Sequence, residues 1–162
     1  MNEPTRTFDK STWGEGPWQT EPDRLEWEHA GLPCLARRIH HGNWCGYAAV
    51  PPGHPLHGKH YDDVELDAHG GLTYASRCSG EICHVPKPGE PDDVWWFGFD
   101  CAHAGDIMPG MDARWREIHR VLPSAAFEPQ HFPGDTYKTL AYVQVETNQL
   151  AEQLAALERK TR

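Results

Sequence analysis

Long apolar runs are absent from this sequence: nothing approaches the roughly 20 apolar residues that a membrane-spanning helix needs, and Met1 to Arg6 lacks an apolar signal segment. A cytoplasmic protein with no membrane partner is therefore expected. Basic residues are scarce as well. Fifteen Lys and Arg against 24 Asp and Glu leave a formal net charge of −9, which opposes binding of a nucleic acid polymer, because that affinity comes mostly from cations neutralising phosphates. A small anionic ligand needs only local donors, such as glycine-turn N–H groups with one or two of Arg37, Arg38, Lys59, Arg77 or Lys87. Among the five cysteines no pair has Cys-x-x-Cys spacing, so free thiols are expected in a reducing compartment. Also missing are the Walker A loop, Gly-x-Gly-x-x-Gly, His-Glu-x-x-His, Gly-x-Ser-x-Gly and any internal repeat.

What is present is enough for one core. The chain has 162 residues, 38% of them hydrophobic and seven of them Trp, which suits a single domain. Residues 1–30 show no clear period and read as an irregular arm that docks Trp13, Trp18 or Trp27 on a domain spanning 31–162. The expected class is α+β, with a small mixed or antiparallel sheet of about four to five strands packed by a long C-terminal helix. Pro33 to Ile39 and Trp44 to Val50 read as strands joined by the loop His40-His41-Gly42-Asn43. Val64, Leu66 and Ala68 alternate with polar neighbours as in a half-buried strand. Val94 to Phe99 is apolar on both parities, as in a central strand covered on both faces. Asp112 to Val121 is expected to form a short helix. In the last segment Leu140, Val143, Thr147, Leu150, Leu154 and Leu157 repeat at helical spacing behind a cap at Asp135 or Thr136. That stripe serves either the sheet or a dimer seam.

Three constellations could carry chemistry. In the first, Asp100 ends the apolar strand, and His103 and Asp106 follow in the next turn, where they can share a proton or a ligand; local backbone capping is the structural alternative. In the second, His69, Gly70, Gly71 and Thr73 combine an imidazole with glycines that let the main chain approach a ligand, although the pair also suits an ordinary turn. His69 and Asp100 are expected on neighbouring strands within one pocket, with His103 or Asp106 at its rim and Trp96 offering an aromatic face. The third is the loop with His54, His57 and His60, followed by Asp62 and Asp63. It is rich in imidazole, but Pro55 and Gly58 make it a loop that does not place three nitrogens on one ion. No metal or other cofactor is assigned.

The runs Trp44 to Pro55, His69 to Tyr74 and Trp95 to Asp106, with the later Tyr137-x-x-Leu140-x-Tyr142-Val143, resemble a family of small, mostly uncharacterised bacteriophage and prophage proteins. The likeness covers about residues 43–155 and brings no established activity, so no catalytic residue is transferred from it. A phage origin implies the cytoplasm of a bacterial host and, by analogy of class, a role against host immunity. The leading expectation is a protein that sequesters a nucleotide-derived signal, with aromatic faces on the base and N–H groups on phosphates, as a homodimer or higher homo-oligomer. Two rivals stand beside it. One is a hydrolase or phosphodiesterase using His69 or His103 as acid or base, with Asp100 or Asp106 orienting it. The other is an inhibitor that docks on a host protein through exposed Trp anchors.

Overall fold

A computed structural model describes residues 7–123 and 131–160. Five antiparallel strands form one sheet: β1 (Arg24–His29), β2 (Leu32–Arg38), β3 (Trp44–Val50), β4 (Tyr74–Arg77) and β5 (Trp95–Asp100), in spatial order β1-β2-β3-β5-β4. Two helices follow, α1 (Pro109–Val121) and α2 (Leu140–Lys160). The α+β class and the long C-terminal helix agree with the sequence reading.

The two sheet faces are covered differently. Phe97 and Phe99 of β5 join Cys34, Ala36, Ala48 and Val50 beneath α2, whose Val143, Thr147, Leu150, Ala151 and Leu154 are fully buried. The three-and-four stripe thus packs on the sheet within the chain, and each fully buried Leu or Val contributes about 1.5–3 kcal/mol against the entropy of ordering it. Helix and sheet approach closely at Gly46, where a Cβ would lie 2.4 Å from Thr147 Oγ1 and 2.5 Å from Phe99. The opposite face holds Leu35, Tyr47, Ala49 and Trp96, and loop 78–94 covers it with Ile82 and Val94. Cys78 and Cys83 in that loop are disulfide-bonded, contrary to the expectation of free thiols. Cys34, Cys45 and Cys101 are free and buried.

Three further expectations change. Residues 24–29 are not part of an irregular arm: Leu25 and Trp27 alternate with Glu26 and Glu28, and the Ala30-Gly31 turn, with both φ angles positive, folds this edge strand onto β2. Val64, Leu66 and Ala68 do pack toward the core, but their backbone pairs with no strand. Instead Asp67 N–H donates to Gln153 Oε1 at 2.8 Å and Gln153 Nε2 donates to the Asp67 carbonyl at 2.8 Å, so a side chain of α2 replaces the missing strand neighbour. The cap of α2 is also neither Asp135 nor Thr136. Thr139 Oγ1 accepts from Tyr142 N–H at 3.2 Å, and Glu21, far earlier in the chain, accepts from Leu140 N–H at 2.6 Å.

Glu21 belongs to a charged network that pins the N-terminal segment. The Arg38 side chain, 0% exposed, donates to Asp23 (2.7 Å), Glu21 (3.2 Å), the Gly42 carbonyl (2.8 Å) and Tyr137 Oη (2.7 Å). Its guanidinium lies 4.5 Å from the centre of the Trp44 ring, and Trp13 is buried on the same cation. Burial works against both charges, and the paired partners outweigh it: the Asp23 carboxyl sits below its ordinary value and Arg38 above its own. Arg38 is therefore no donor for an outside anion.

Candidate functional site

Two turns build the site, each with glycine at the position that needs a positive φ. In the first, Gly71 N–H closes on the Ala68 carbonyl at 2.9 Å, with Gly70 at φ 68°. In the second, Asp106 N–H closes on the His103 carbonyl at 3.0 Å, with Gly105 at φ 93°. The turns touch: a Cβ on Gly70 would come within 2.2 Å of the His103 ring, so only glycine fits there. The lead-in to α2 joins them through Ile107 N–H to the Thr136 carbonyl and Thr136 N–H to the Gly105 carbonyl, both at 2.9 Å.

Asp106 is the centre of the cluster, not its rim, with a side chain 2% exposed. Its Oδ2 accepts from His69 Nε2 at 2.8 Å and from the His103 backbone N–H at 3.0 Å, and Lys138 Nζ lies 3.0 Å from Oδ1. Burial alone would raise this carboxyl; the three donors more than offset it and hold Asp106 below its ordinary value. A carboxylate only accepts, so His69 Nε2 carries the proton of the neutral ring, and Nδ1 accepts from Tyr142 Oη at 2.8 Å.

Asp100 organises the second imidazole. Its Oδ1 accepts from Ala102 N–H at 3.2 Å and its Oδ2 from Thr73 Oγ1 at 3.1 Å. His103 Nε2 lies 3.2 Å from Oδ1 but off the hydrogen-bond axis, so this is an ion-pair contact rather than a formed bond. The His103 side chain is 35% exposed, and its buried Nε2 has no hydrogen-bond partner among the described residues. The His69 and His103 ring centres are 5.9 Å apart.

Of the residues singled out from sequence, His69, Gly70, Thr73, Asp100, His103 and Asp106 meet here, and Gly71 closes the first turn. Trp96 does not join them. It is 0% exposed on the sheet face away from α2, edge-on to His84, where no ligand in this cluster could stack on it. His69 also lies outside any strand, and β5 parity puts Asp100 with Trp96 while His69 reaches Tyr142 on α2. The two therefore meet around the end of the sheet through His103, not across one face. Sequence reasoning did not place Lys138 or Tyr142 at the site: Tyr142 stood only in the Tyr137-x-x-Leu140-x-Tyr142-Val143 motif, and Lys138, ahead of α2, carried no local signal.

The histidine-rich loop is not assembled around one point. His54 bonds the Leu154 carbonyl at 2.8 Å, His57 the Asp93 carbonyl at 2.9 Å, and His60 accepts from Asp62 N–H at 3.2 Å. Among the described residues no three His, Cys, Asp or Glu side chains are grouped to hold a metal. Cys101, next to Asp100, is 2% exposed, and burial pushes its thiol well up, which removes it as a nucleophile. A cleft of about 640 Å³ lined by Phe8, Lys10, Gln19, Glu21 and Arg24 shares no residue with the cluster, and its Glu21 and Lys10 are already paired inside the Arg38 network. No helix among the described residues is long and apolar enough to cross a membrane. No protein-family model, curated protein or solved structure matches the chain.

Proposed function

We propose that the chain is a hydrolase of a nucleotide-derived small molecule and that His69 and His103 carry its proton transfers. One observation carries the reading: two imidazoles, one hydrogen-bonded to a carboxylate and the other in ion-pair contact with one, stand 5.9 Å apart at a glycine-built edge. Hydrolysis needs a base for the attacking group and an acid for the leaving oxygen, and a pair of imidazoles supplies both near neutral pH. The substrate class rests on the phage resemblance and on the glycine turns, which let the main chain approach a ligand. In a bacterial host such cleavage would counter immune signalling.

Capture without cleavage is the second reading, and a specific observation favours it. Asp106 satisfies three donors and His69 uses both ring nitrogens, a closed arrangement that suits a fixed binding wall. Docking on a host protein has less support, since none of the seven Trp side chains is exposed.

The test is incubation with excess cyclic dinucleotides and ADP-ribose derivatives, with products followed by chromatography. We expect turnover that chelator does not change and that His103→Ala lowers at least 100-fold. Ligand recovered intact from heat-unfolded protein, with no turnover, would replace the hydrolase by the capture reading. No binding across the panel would defeat both.

A further inference from the structure

We infer that Tyr142 is the nucleophile of this site, the outer member of a relay that runs Asp106–His69–Tyr142. The inference rests on the reading of the cluster as a proton-transfer site, and it gives a role to Tyr142, which the sequence reading does not place at the site. Both hydrogen bonds of the relay are 2.8 Å long, and with a neutral His69 ring the Asp106 carboxylate, which can only accept, sets their direction. Asp106 takes the Nε2 proton, so Nδ1 is the basic nitrogen, and the group it faces is the Tyr142 hydroxyl. His69 has no ring nitrogen left for a substrate. Any proton that His69 accepts from the reacting system must therefore arrive through Tyr142 Oη.

The surroundings of Tyr142 agree with that role. Its side chain is half-buried in the first turns of α2 and meets the His69 ring edge-on at 5.5 Å between centres. Lys138 Nζ lies 5.9 Å from the centre of its ring. Burial, together with the nearby Glu146, Cys101 and Asp106, raises the phenol above its ordinary value, so it does not ionise unaided, and Glu146 stands beside His69 as a second acceptor for its hydroxyl. The proton has to pass to His69 as the oxygen attacks.

The step balances as follows. The Tyr142 oxygen bonds to the electrophilic phosphorus while its proton moves to His69 Nδ1, and the resulting imidazolium is held by the Asp106 carboxylate. The bond to the leaving oxygen breaks, and protonated His103 supplies that oxygen with its proton. Water, deprotonated by the now neutral His103, then displaces Tyr142, which recovers its proton from His69. The arrangement places tyrosine where a serine stands in a Ser-His-Asp triad.

An aryl sulfonyl fluoride tests this without knowledge of the substrate. The tyrosine oxygen displaces fluoride from sulfur and its proton passes to His69. Peptide mass spectrometry of the intact protein is expected to find Tyr142 labelled at least tenfold faster than Tyr61 or Tyr74. His69→Gln is expected to bring Tyr142 down to their rate. Tyr142→Phe keeps the ring, and with an unchanged melting curve it is expected to abolish nucleotide turnover and leave ligand binding within about threefold. Labelling at Tyr142 with no turnover of any nucleotide would support the relay and defeat the substrate reading. Turnover that survives Tyr142→Phe, or labelling no faster than at Tyr61, would overturn the relay whatever the substrate.

Discussion

The Arg38 cluster and the His69–His103 cluster lie at the same end of the sheet, and both draw on the lead-in to α2, Tyr137 for one and Lys138 for the other. In the first, the guanidinium is fully buried and meets partners on several sides, two of them carboxylates. In the second, a buried carboxylate holds one imidazole whose far nitrogen points to a half-buried phenol, and the other imidazole stands one-third exposed. Closure on every side suits a structural fastener. A polar chain that starts buried and ends at the surface suits chemistry, because its last member still has something to give or take.

Removing the fastener should have the largest effect on stability. Arg38→Met leaves Glu21 under the N-terminal segment without its cation and Asp23 with Lys10 alone. Breaking such a pair costs about 3–5 kcal/mol, a large part of the 5–15 kcal/mol typical of a domain. Urea unfolding measures it, and a loss under about 1 kcal/mol would show that the network contributes little. Replacing both members with apolar groups is a different matter, since buried ion pairs are weak net stabilisers once desolvation is counted.

The fastener was almost invisible in the sequence. Glu21, Asp23, Arg38 and Tyr137 are scattered over more than a hundred residues, share no spacing, and are ordinary polar residues until the fold brings them together. The second cluster was legible because its parts sit at strand ends and glycine turns, where local chemistry shows: His69 with Gly70, Asp100 with His103 and Asp106. Its helix side was not, since Lys138 and Tyr142 look like the polar flank of an amphipathic stripe. Trp96 misled for the converse reason. It shares the β5 parity of Asp100 and so reads as an aromatic face beside it, whereas loop 78–94 covers that part of the sheet and buries it.

An intermediate effect is expected from acid, and it bears on both clusters. Asp23 and Asp106 are each held below the ordinary value of 3.8. A carboxyl lowered by folding contributes stability that is complete above that value and disappears as pH falls through its folded pKa. The urea midpoint should therefore decline below about 4, beyond a smaller loss between pH 7 and 5 from His41 and His84, whose imidazoles burial holds below the ordinary value. Asp23→Asn and Asp106→Asn should each lower it at pH 7 and flatten part of the acid slope. A double variant that keeps the full slope would place the sensitive carboxylates elsewhere.

The smallest change in stability is expected where the proposed chemistry is most exposed, and this sharpens the contrast between a fastener and a working edge. Thr73 is exposed, and its hydroxyl donates to Asp100 Oδ2 at 3.1 Å. Thr73→Val removes that one bond and keeps the side-chain shape, so the loss of stability should be within about 1 kcal/mol, the ordinary net worth of a hydrogen bond that water can replace. Function should respond more strongly. The Asp100 carboxylate lies 3.2 Å from His103 Nε2, and freed on one side it no longer keeps its charge beside the ring that delivers the proton, so turnover should fall about tenfold while ligand affinity holds. If stability and turnover both stay at the wild-type level, Asp100 is held well enough by the Ala102 N–H alone. If stability falls by several kcal/mol instead, the cluster is a second fastener, and the distinction drawn from its open end fails.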